Sequence, residues 1–327
     1  GPGVAPSATR FQPLPRGGRA DMVQPRPVRT LSHTAHPLLL ALLMLGGCMN
    51  TPHTPPHPAA PARLDIPAPT TVGLAPASAQ LWAADMAQAL QGQSVAASAR
   101  PATAGAWWLR LKTRQAGGQV IPIYTIMTPG STPRAAQDGA GIAQTLWQPD
   151  GGGTVSPAIL SGMAQDAAPR IASLLTGIQA AAMEQDPNSL KHRPARVFFS
   201  GVTGAPGKGN TALASAFRAA FPDTHDTLTH HRAQADYTLN CTVRVSDAPP
   251  DSDGQARQHL DIIWTLHDAA GQEAGGITQL HDIHAHALDG DWGETAPNTA
   301  HEAAAAARQI IDRYSGRTNT PLPTPAP

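Results

Sequence analysis

Apolar and polar positions alternate with a period of two in several short segments of the chain, which predicts strands with one buried face. The clearest examples are Tyr237–Val245 and Leu260–Leu266, which a polar loop joins. The segment before them has a helical period instead, with Leu213, Phe217 and Phe221 on one face. Together these patterns predict an antiparallel sheet with a helix packed on one side.

Two halves of the chain show such elements in the same order. The second half runs from a strand at Arg196–Val202 to an alanine-rich helix at Ala300–Tyr314. The first half supplies two helical regions with two strands between them: Ser78–Leu90, Ala106–Lys112, Val120–Met127 and Pro157–Glu184. Gly141–Gln144 also resembles Gly276–Gln279. We therefore predict an α+β fold with two similar helix–antiparallel-strands–helix repeats, each a layered α/β sandwich.

An uninterrupted apolar run near the N-terminus predicts export. Pro37–Leu45 follows Arg26 and Arg29 and is too short to cross a bilayer core of ~30 Å, as is typical of a signal peptide. It leads into a motif that resembles a bacterial lipobox: Leu45, Gly46, Gly47 and Cys48. In lipobox signals the small residues admit the peptidase and the cysteine is acylated. The resemblance predicts a lipidated Cys48, carrying palmitate-type chains, at the start of the mature protein.

The same signals set the predicted boundaries. Met22 is the expected natural start, because the basic region, apolar run and cysteine follow it in the right order. The chain has 327 residues and 33 prolines, and the prolines are concentrated at its ends, where they favour extended backbone. The predicted organisation is an unstructured upstream extension (1–21), a lipoprotein signal peptide (22–47), a proline-rich tether (48–76), the first repeat (77–184), a linker (185–195), the second repeat (196–316) and a disordered tail (317–327).

Charge and cysteine content narrow the class of protein. The 23 basic residues balance the 23 acidic ones, whereas nucleic-acid-binding proteins show a basic face, so no nucleic-acid partner is expected. The chain has only two cysteines, and acylation of Cys48 would leave Cys241 without a partner for an internal disulfide. Cys241 lies on the apolar face of its strand, which predicts a buried and inert thiol.

A glycine-rich turn after the strand Arg196–Val202 is a candidate anion-binding site, formed by Gly204, Gly207, Lys208, Gly209 and Asn210. In phosphate-binding loops the backbone amides and a lysine hold the anion. The spacing differs here, because Val202 stands where a Walker loop needs glycine and Gly209 where it needs serine or threonine. We expect a turn that lets a helix approach a strand. A nucleotide- or phosphate-binding or hydrolytic enzyme using Gly204–Asn210 is the alternative.

Three histidines lie close together near the end of the second half: His281, His284 and His286. Imidazoles bind metals, so a metal-binding periplasmic protein is a second alternative. In an extended segment His284 and His286 share one face and His281 lies on the other, so a common site would need a turn. We therefore expect a solvated polar segment and no cofactor.

The sequence contains no complete catalytic motif. It lacks both the G-x-S-x-G elbow and the H-E-x-x-H zinc helix. Trp107 and Trp108 fall on opposite faces of one predicted strand, and Trp292 is expected to pack against the core. The sequence predicts a protein without enzymatic activity.

Five segments resemble an uncharacterised family of lipoproteins of alphaproteobacteria of the acetic-acid-bacteria type: Asp186–Leu190, Arg196–Asn210, Gln258–Asp268, Gly276–Leu280 and Leu288–Gly293. The resemblance brings no activity and no functional residues. The pattern is more loosely similar to the small amino-terminal domains of TolB proteins and to lipoproteins that activate peptidoglycan synthases, at the level of the fold alone.

Residue 49 is Met rather than Asp, which by resemblance to enterobacterial sorting rules favours the outer membrane. We therefore expect a lipoprotein of the cell envelope, anchored in the outer membrane and facing the periplasm. Its expected role is that of a non-enzymatic binding or scaffolding module. The expected partners are the lipid bilayer, through acylated Cys48, and a protein of the envelope or of the peptidoglycan machinery.

Overall fold

The computed structural model describes residues 63–71 and 73–325, together with the main chain of Cys48–Met49. The helices are α1 Pro76–Gly92, α2 Gln144–Trp147, α3 Pro157–Gln185, α4 Gly209–Ala220 and α5 Thr295–Ser315. The strands are β1 Cys48–Met49, β2 Leu64–Asp65, β3 Ala97–Ser98, β4 Trp107–Ala116, β5 Gln119–Met127, β6 Pro133–Asp138, β7 Ile142–Ala143, β8 Ala195–Thr203, β9 Asp226–Leu228, β10 Tyr237–Ala248, β11 Arg257–Asp268 and β12 Glu273–His284.

The strands form two mixed sheets. The first has the order β3-β2-β4-β5-β6, with β7 beside β5, and the second has the order β1-β12-β11-β10-β8-β9. β2 is parallel to β3 and β4, and β8 is parallel to β9 and β10. The remaining pairs are antiparallel. The predicted α+β layered class is confirmed, but the sheets are mixed, because α1 and α4 each connect two parallel strands.

Each sheet has its own hydrophobic core. In the first half, α1 and α3 pack on one face of the sheet around Trp82, Leu109 and Ile126. In the second half, α4 and α5 pack around Phe217 and Trp264. Because alternate strand residues enter these cores, the opposite face of each sheet is free of helices from its own half.

The first buried strand begins inside the segment predicted to be a tether. Leu64, Asp65 and Ile66 are almost fully buried, and β2 lies between β3 and β4. The prediction of a tether over 48–76 is therefore wrong for this part. A strand of two residues is too short to show an alternating pattern, and only its position between neighbours identifies it.

The described part of the predicted disordered tail is docked on the fold. Arg317 forms ion pairs with Asp226 and Asp312, and Leu322 packs against the core of the first half. The prediction of a disordered tail is therefore wrong for residues 317–325. The proline content did not indicate this docking, because the residues that contact the segment are distant in the sequence.

The two sheets share a strand order, but the similar strings Gly141–Gln144 and Gly276–Gln279 do not occupy equivalent positions in them. Reading each from its edge, β3-β2-β4-β5-β6 matches β9-β8-β10-β11-β12 in both order and direction. Gly141–Gln144, however, contains β7, which lies beside the first residues of β5. Gly276–Gln279 lies in β12 beside Ile262–Thr265, in the middle of β11. The duplication remains a prediction that this string does not support.

The predicted signal peptide, with Leu45, Gly46 and Gly47, lies outside the described residues, as does the side chain of Cys48. In the part of the chain that the structure describes, no helix is both long enough and apolar enough to cross a membrane.

Candidate functional site

The glycine turn between β8 and α4 is tightly packed against a distant part of the chain. Gly204 and Gly207 both have positive φ angles, of 84° and 55°. A Cβ on Gly207 would lie 2.4 Å from the carbonyl oxygen of Gly290, and one on Gly204 would lie 2.3 Å from that of Val243. Both glycines are therefore needed for backbone conformation and for close approach.

Several of the donors that an anion would use are engaged within the turn. The main-chain N–H of Lys208 donates to Gly290, at 3.0 Å, and that of Gly209 donates to Pro206, also at 3.0 Å. The N–H of Ala205 donates to the side chain of Asn210, at 2.9 Å. Carbonyl oxygens thus line the space beside Gly207, which is unfavourable for an anion.

The Lys208 side chain, which an anion would use, already has a partner. Lys208 lies 2.9 Å from Asp291, and both side chains are highly exposed. Trp292 covers Gly209, where a Cβ would lie 2.3 Å from its ring, and the indole N–H donates to the carbonyl of Pro206. The turn therefore packs against the loop before α5, a contact that the sequence analysis did not predict.

The three histidines do not come together. His281 is buried on the core face of β12 and neither ring nitrogen has a hydrogen-bond partner. Burial lowers its pKa, although Glu302 acts in the opposite direction. His284 is exposed at the end of β12, and His286 lies 2.8 Å from Asp289. Among the residues that the structure describes, no group of three or more potential ligands surrounds a common point.

Cys241 and the paired tryptophans lie where the sequence placed them. Cys241 is buried in the second core, and burial strongly raises the pKa of its thiol, which disfavours the reactive thiolate. Trp107 packs against the first core, while its neighbour Trp108 lies on the opposite face of the sheet. Trp292 is buried, also as expected.

The first half contains a groove of about 550 Å³ that the sequence pattern does not predict. It lies beyond the carboxyl ends of β2 and β3, and its lining is mostly apolar: Ile66–Ala68, Gln80, Ala83, Ala84 and Ala99–Pro101. The pattern gave no sign of it, because its lining comes from three separated segments, two of which follow the short strands β2 and β3 that carry no alternation.

An ion pair between half-exposed Arg100 and buried Asp65 lies in one wall of this groove. Arg100 donates to Asp65, whose side chain is fully buried, and the main-chain N–H of Thr103 donates to the same carboxylate at 3.0 Å. Burial alone would raise the pKa of Asp65, but these hydrogen bonds outweigh it and hold the pKa below its ordinary value. Among the described residues that line the groove, Arg100 is the one cation, and its pairing with Asp65 leaves an apolar surface with little net charge.

Comparison with known proteins gives distant similarities in structure only. No family model and no curated protein matches the chain. A PelC dodecamer structure from Paraburkholderia phytofirmans is 13% identical, with 35% of this chain and 88% of that chain covered and a TM-score of 0.25. A DUF4136 family protein from Bacteroides thetaiotaomicron is 11% identical, with 41% and 94% covered and a TM-score of 0.23.

A minor lipoprotein from Acinetobacter baumannii is 11% identical, with 40% of this chain and 96% of that chain covered and a TM-score of 0.21. At these identities and TM-scores, the similarities carry no argument about what this chain binds or does.

Proposed function

We propose that the chain is a lipoprotein of the cell envelope, anchored in the outer membrane through acylated Cys48, and that it acts as a non-enzymatic binding or scaffolding module in the periplasm. One observation carries the proposal: a basic region, an apolar run and Leu45-Gly-Gly-Cys48 stand in that order, just ahead of a fold whose first buried strand begins at Leu64. This order is typical of an exported and acylated protein.

The pairing of the anchor residue with the fold supports this arrangement. The main chain of Cys48 and Met49 (β1) pairs with Leu280 and Gln279 at the edge of the second sheet. An acylated Cys48 would therefore hold that edge of the second sheet close to the bilayer surface. A module held so close is suited to contacts with the membrane or with other envelope components.

The fold favours this proposal over its two alternatives. The common strand order of the two sheets and their separate cores fit two copies of one module. Against the nucleotide-binding alternative stand the carbonyl oxygens that crowd Gly207. Against the metal-binding alternative stands the separation of His281, buried in the core, from the exposed His284.

Metabolic labelling with a palmitate analogue in bacterial cells tests the anchor. The wild-type chain should incorporate label and fractionate with membranes, whereas Cys48→Ser should lose the label. Cys241→Ser is the matched control and should be labelled like the wild type, because its thiol is buried. Equal labelling of the wild type and Cys48→Ser would contradict the proposal.

In-cell cross-linking tests the binding role. The wild-type chain should give discrete cross-linked products with envelope proteins, and Cys48→Ser should lose them as the chain leaves the membrane. Products that are unchanged in Cys48→Ser would show that the interaction does not depend on the anchor.

A further inference from the structure

Strand β3 lies at one edge of the first sheet, and its outer side carries unpaired main-chain groups. The carbonyl oxygens of Ala96 and Ser98 accept hydrogen bonds from the chain of β2, at 2.9 Å and 2.8 Å. Because successive residues of a strand direct their main-chain groups to opposite sides, Ala97 and Ala99 direct theirs away from β2. Their N–H and C=O groups therefore point out of the sheet edge.

A side chain of α1 confirms the direction of these groups. The Nε2 atom of Gln91 donates a hydrogen bond to the carbonyl oxygen of Ala97, at 2.8 Å, where the N–H of a further strand would otherwise lie. Within the described residues, the N–H of Ala97 and both main-chain groups of Ala99 have no partner. We call Ala97 and Ala99 the open edge of β3. Such an edge can pair with an added strand.

Two hollows border the open edge. The groove described above adjoins Ala99 and is walled in part by Ala84 of α1. A second hollow, of about 430 Å³, adjoins Ala97 and is lined in part by Arg63 and Gln91. The helix and the edge strand thus run side by side, with a hollow near each end of the open edge. A strand added there would have a space for a side chain at both ends, as in domains that bind peptides by strand addition.

The two hollows differ in chemistry. Arg63 is exposed and lies 3.4 Å from the hydroxyl of Ser98, and within the described residues it forms no ion pair. Arg100, at the other hollow, is already paired with Asp65. The hollow at Arg63 therefore favours an acidic side chain, whereas the apolar groove favours an aliphatic one.

The fold itself does not require an open edge. Strand β9 occupies the corresponding place in the second sheet. Its first residue, Asp226, donates its main-chain N–H to the carboxylate of Asp223, at 2.8 Å, and accepts a hydrogen bond from the N–H of the same residue, at 2.9 Å. The loop before β9 thus satisfies the main chain at the start of that edge, and no such contact protects Ala97 and Ala99 within the described residues.

The nearest segments of the chain itself do not suit the open edge. Residues 50–62, ahead of β2, contain proline at five of thirteen positions and no acidic residue. Proline has no N–H to donate to a neighbouring strand. Residues 317–325 are docked elsewhere, with Leu322 against α3. The open edge therefore fits a strand from another polypeptide.

We propose that the open edge of β3 binds an extended peptide segment of a partner protein by strand addition. The segment pairs through its main chain with Ala97 and Ala99 and displaces the amide of Gln91. It places an aliphatic side chain in the groove beside Ala84 and an acidic side chain beside Arg63. The inference rests on the binding role proposed above, to which it adds the class of partner, and it does not depend on the lipid anchor.

Selection from a phage-displayed library of random peptides on the wild-type chain tests this proposal. Enriched peptides should combine an aliphatic with an acidic residue, without proline between them. Two synthetic copies of such a peptide, N-methylated at alternate sets of positions, should then differ: one should bind about tenfold more weakly and the other like the parent, because only one set of N–H groups faces the edge. Failure to enrich any peptide, or equal effects of the two methylation patterns, would overturn the proposal.

Substitutions locate the site. Ala84→Trp fills the groove from an exposed position and should abolish binding of the enriched peptide. Ala77→Trp, exposed in the first turn of the same helix and outside the groove, is the matched control and should bind like the wild type. Circular dichroism checks that both variants fold. Unchanged binding by Ala84→Trp would contradict the assignment.

A charge exchange tests the second hollow without filling any space. Arg63→Glu should bind the acidic peptide about fivefold more weakly, as expected for an exposed ion pair. Replacing the acidic residue of the peptide by lysine should restore the affinity for Arg63→Glu and lower it for the wild type. The same preference in both proteins would show that Arg63 does not face the peptide.

The binding role, the anchor and this site can fail separately. Cys48→Ser should bind the peptide like the wild type, so a failure of the anchor leaves the measurement unaffected. Cross-linked products that form in cells and persist in Ala84→Trp would leave the binding role standing and refute this site. Self-association of the wild type that Ala84→Trp abolishes, measured by sedimentation, would assign the open edge to a second copy of the chain instead.

Discussion

The main-chain N–H of Leu322 donates a hydrogen bond to the carbonyl oxygen of Gly177, at 2.8 Å, and so attaches the end of the described chain to helix α3. Arg134 donates to the carbonyl oxygens of Leu322 and Pro323, each at 2.9 Å. At its other end the segment is held by Arg317 in the second half. Residues 317–325 therefore form a C-terminal strap that joins the two halves.

The strap explains a glycine inside α3, and this can be tested by substitution. A Cβ on Gly177 would lie 3.0 Å from the Cβ of Leu322, whereas one on Gly162, in the same helix, would meet nothing within 4 Å. Gly162→Ala should increase the free energy of unfolding by up to about 1 kcal/mol through helix propensity. Gly177→Ala should not increase the free energy of unfolding in this way, because Leu322 of the strap would have to move to make room for the methyl group. Urea unfolding of both variants measures the difference, and equal stabilisation would argue against contact at Gly177.

The ion pair between Arg317 and Asp226 is almost completely buried, with 6% and 1% of the side chains exposed. We expect Arg317→Met to lower the free energy of unfolding by about 3 kcal/mol, because it leaves an uncompensated buried carboxylate. Burial raises the pKa of Asp226 even though Arg317 opposes this. Protonation therefore favours the folded state, and the deficit of Arg317→Met should shrink as the pH falls towards that pKa.

The double variant Arg317→Met/Asp226→Asn separates the charge from the contact. It should recover most of the stability lost in Arg317→Met, since no buried charge remains. A double variant as unstable as the single one would mean that the packing of Arg317, and not the carboxylate, is responsible.

Asp236 makes the second half sensitive to acid. Burial would raise the pKa of its carboxyl group, but hydrogen bonds from the Arg193 side chain and from the main-chain N–H of Arg196 outweigh it and hold the pKa below 3.8. The ionised group therefore stabilises the fold above its ordinary pKa, and this contribution is lost as the pH falls through the folded value. Asp236→Asn should cost about 1–2 kcal/mol at neutral pH and flatten the loss of stability in acid.

Thermal unfolding between pH 2 and pH 7, about the range over which carboxyl groups titrate, measures this effect. Asp247→Asn, which changes an exposed carboxylate at the end of β10, is the control and should leave the acid response unchanged. A steep acid response that persists in Asp236→Asn would place the sensitive group elsewhere.

The glycine turn should depend on packing and not on a ligand. Gly209→Ala places a methyl group against the ring of Trp292, and we expect a loss of about 2 kcal/mol with a shift in tryptophan emission. Gly290→Ala, where a Cβ meets nothing within 4 Å, should be tolerated. If adding phosphate or a nucleotide stabilised the wild type but not Gly209→Ala, the turn would be a binding site after all.

The parts of the fold that could be predicted are those with long regular patterns. The alternation in Tyr237–Val245 identified most of β10, and the spacing of Leu213 and Phe217 identified α4, because each buries one face along its length. The short strands β2, β3 and β9 were missed, since two or three residues carry no period and owe their state to neighbouring strands.

The candidate sites show the same division. The glycines of the turn could be recognised from the sequence, but the groups that require them, Val243, Gly290 and Trp292, come from distant parts of the chain. Strand β4 could also be recognised from the pattern, because Arg110, Lys112 and Arg114 alternate with the buried Leu109 and Leu111. The groove beside Arg100 could not, because its walls are assembled only by the fold.

The packing of Leu322 on the first core has a consequence for the order in which the protein is made. The strap leaves the ribosome after the entire second half, so the first half emerges early and must wait for its last apolar contact. The core of the first half can therefore be completed only after the second half has been synthesised.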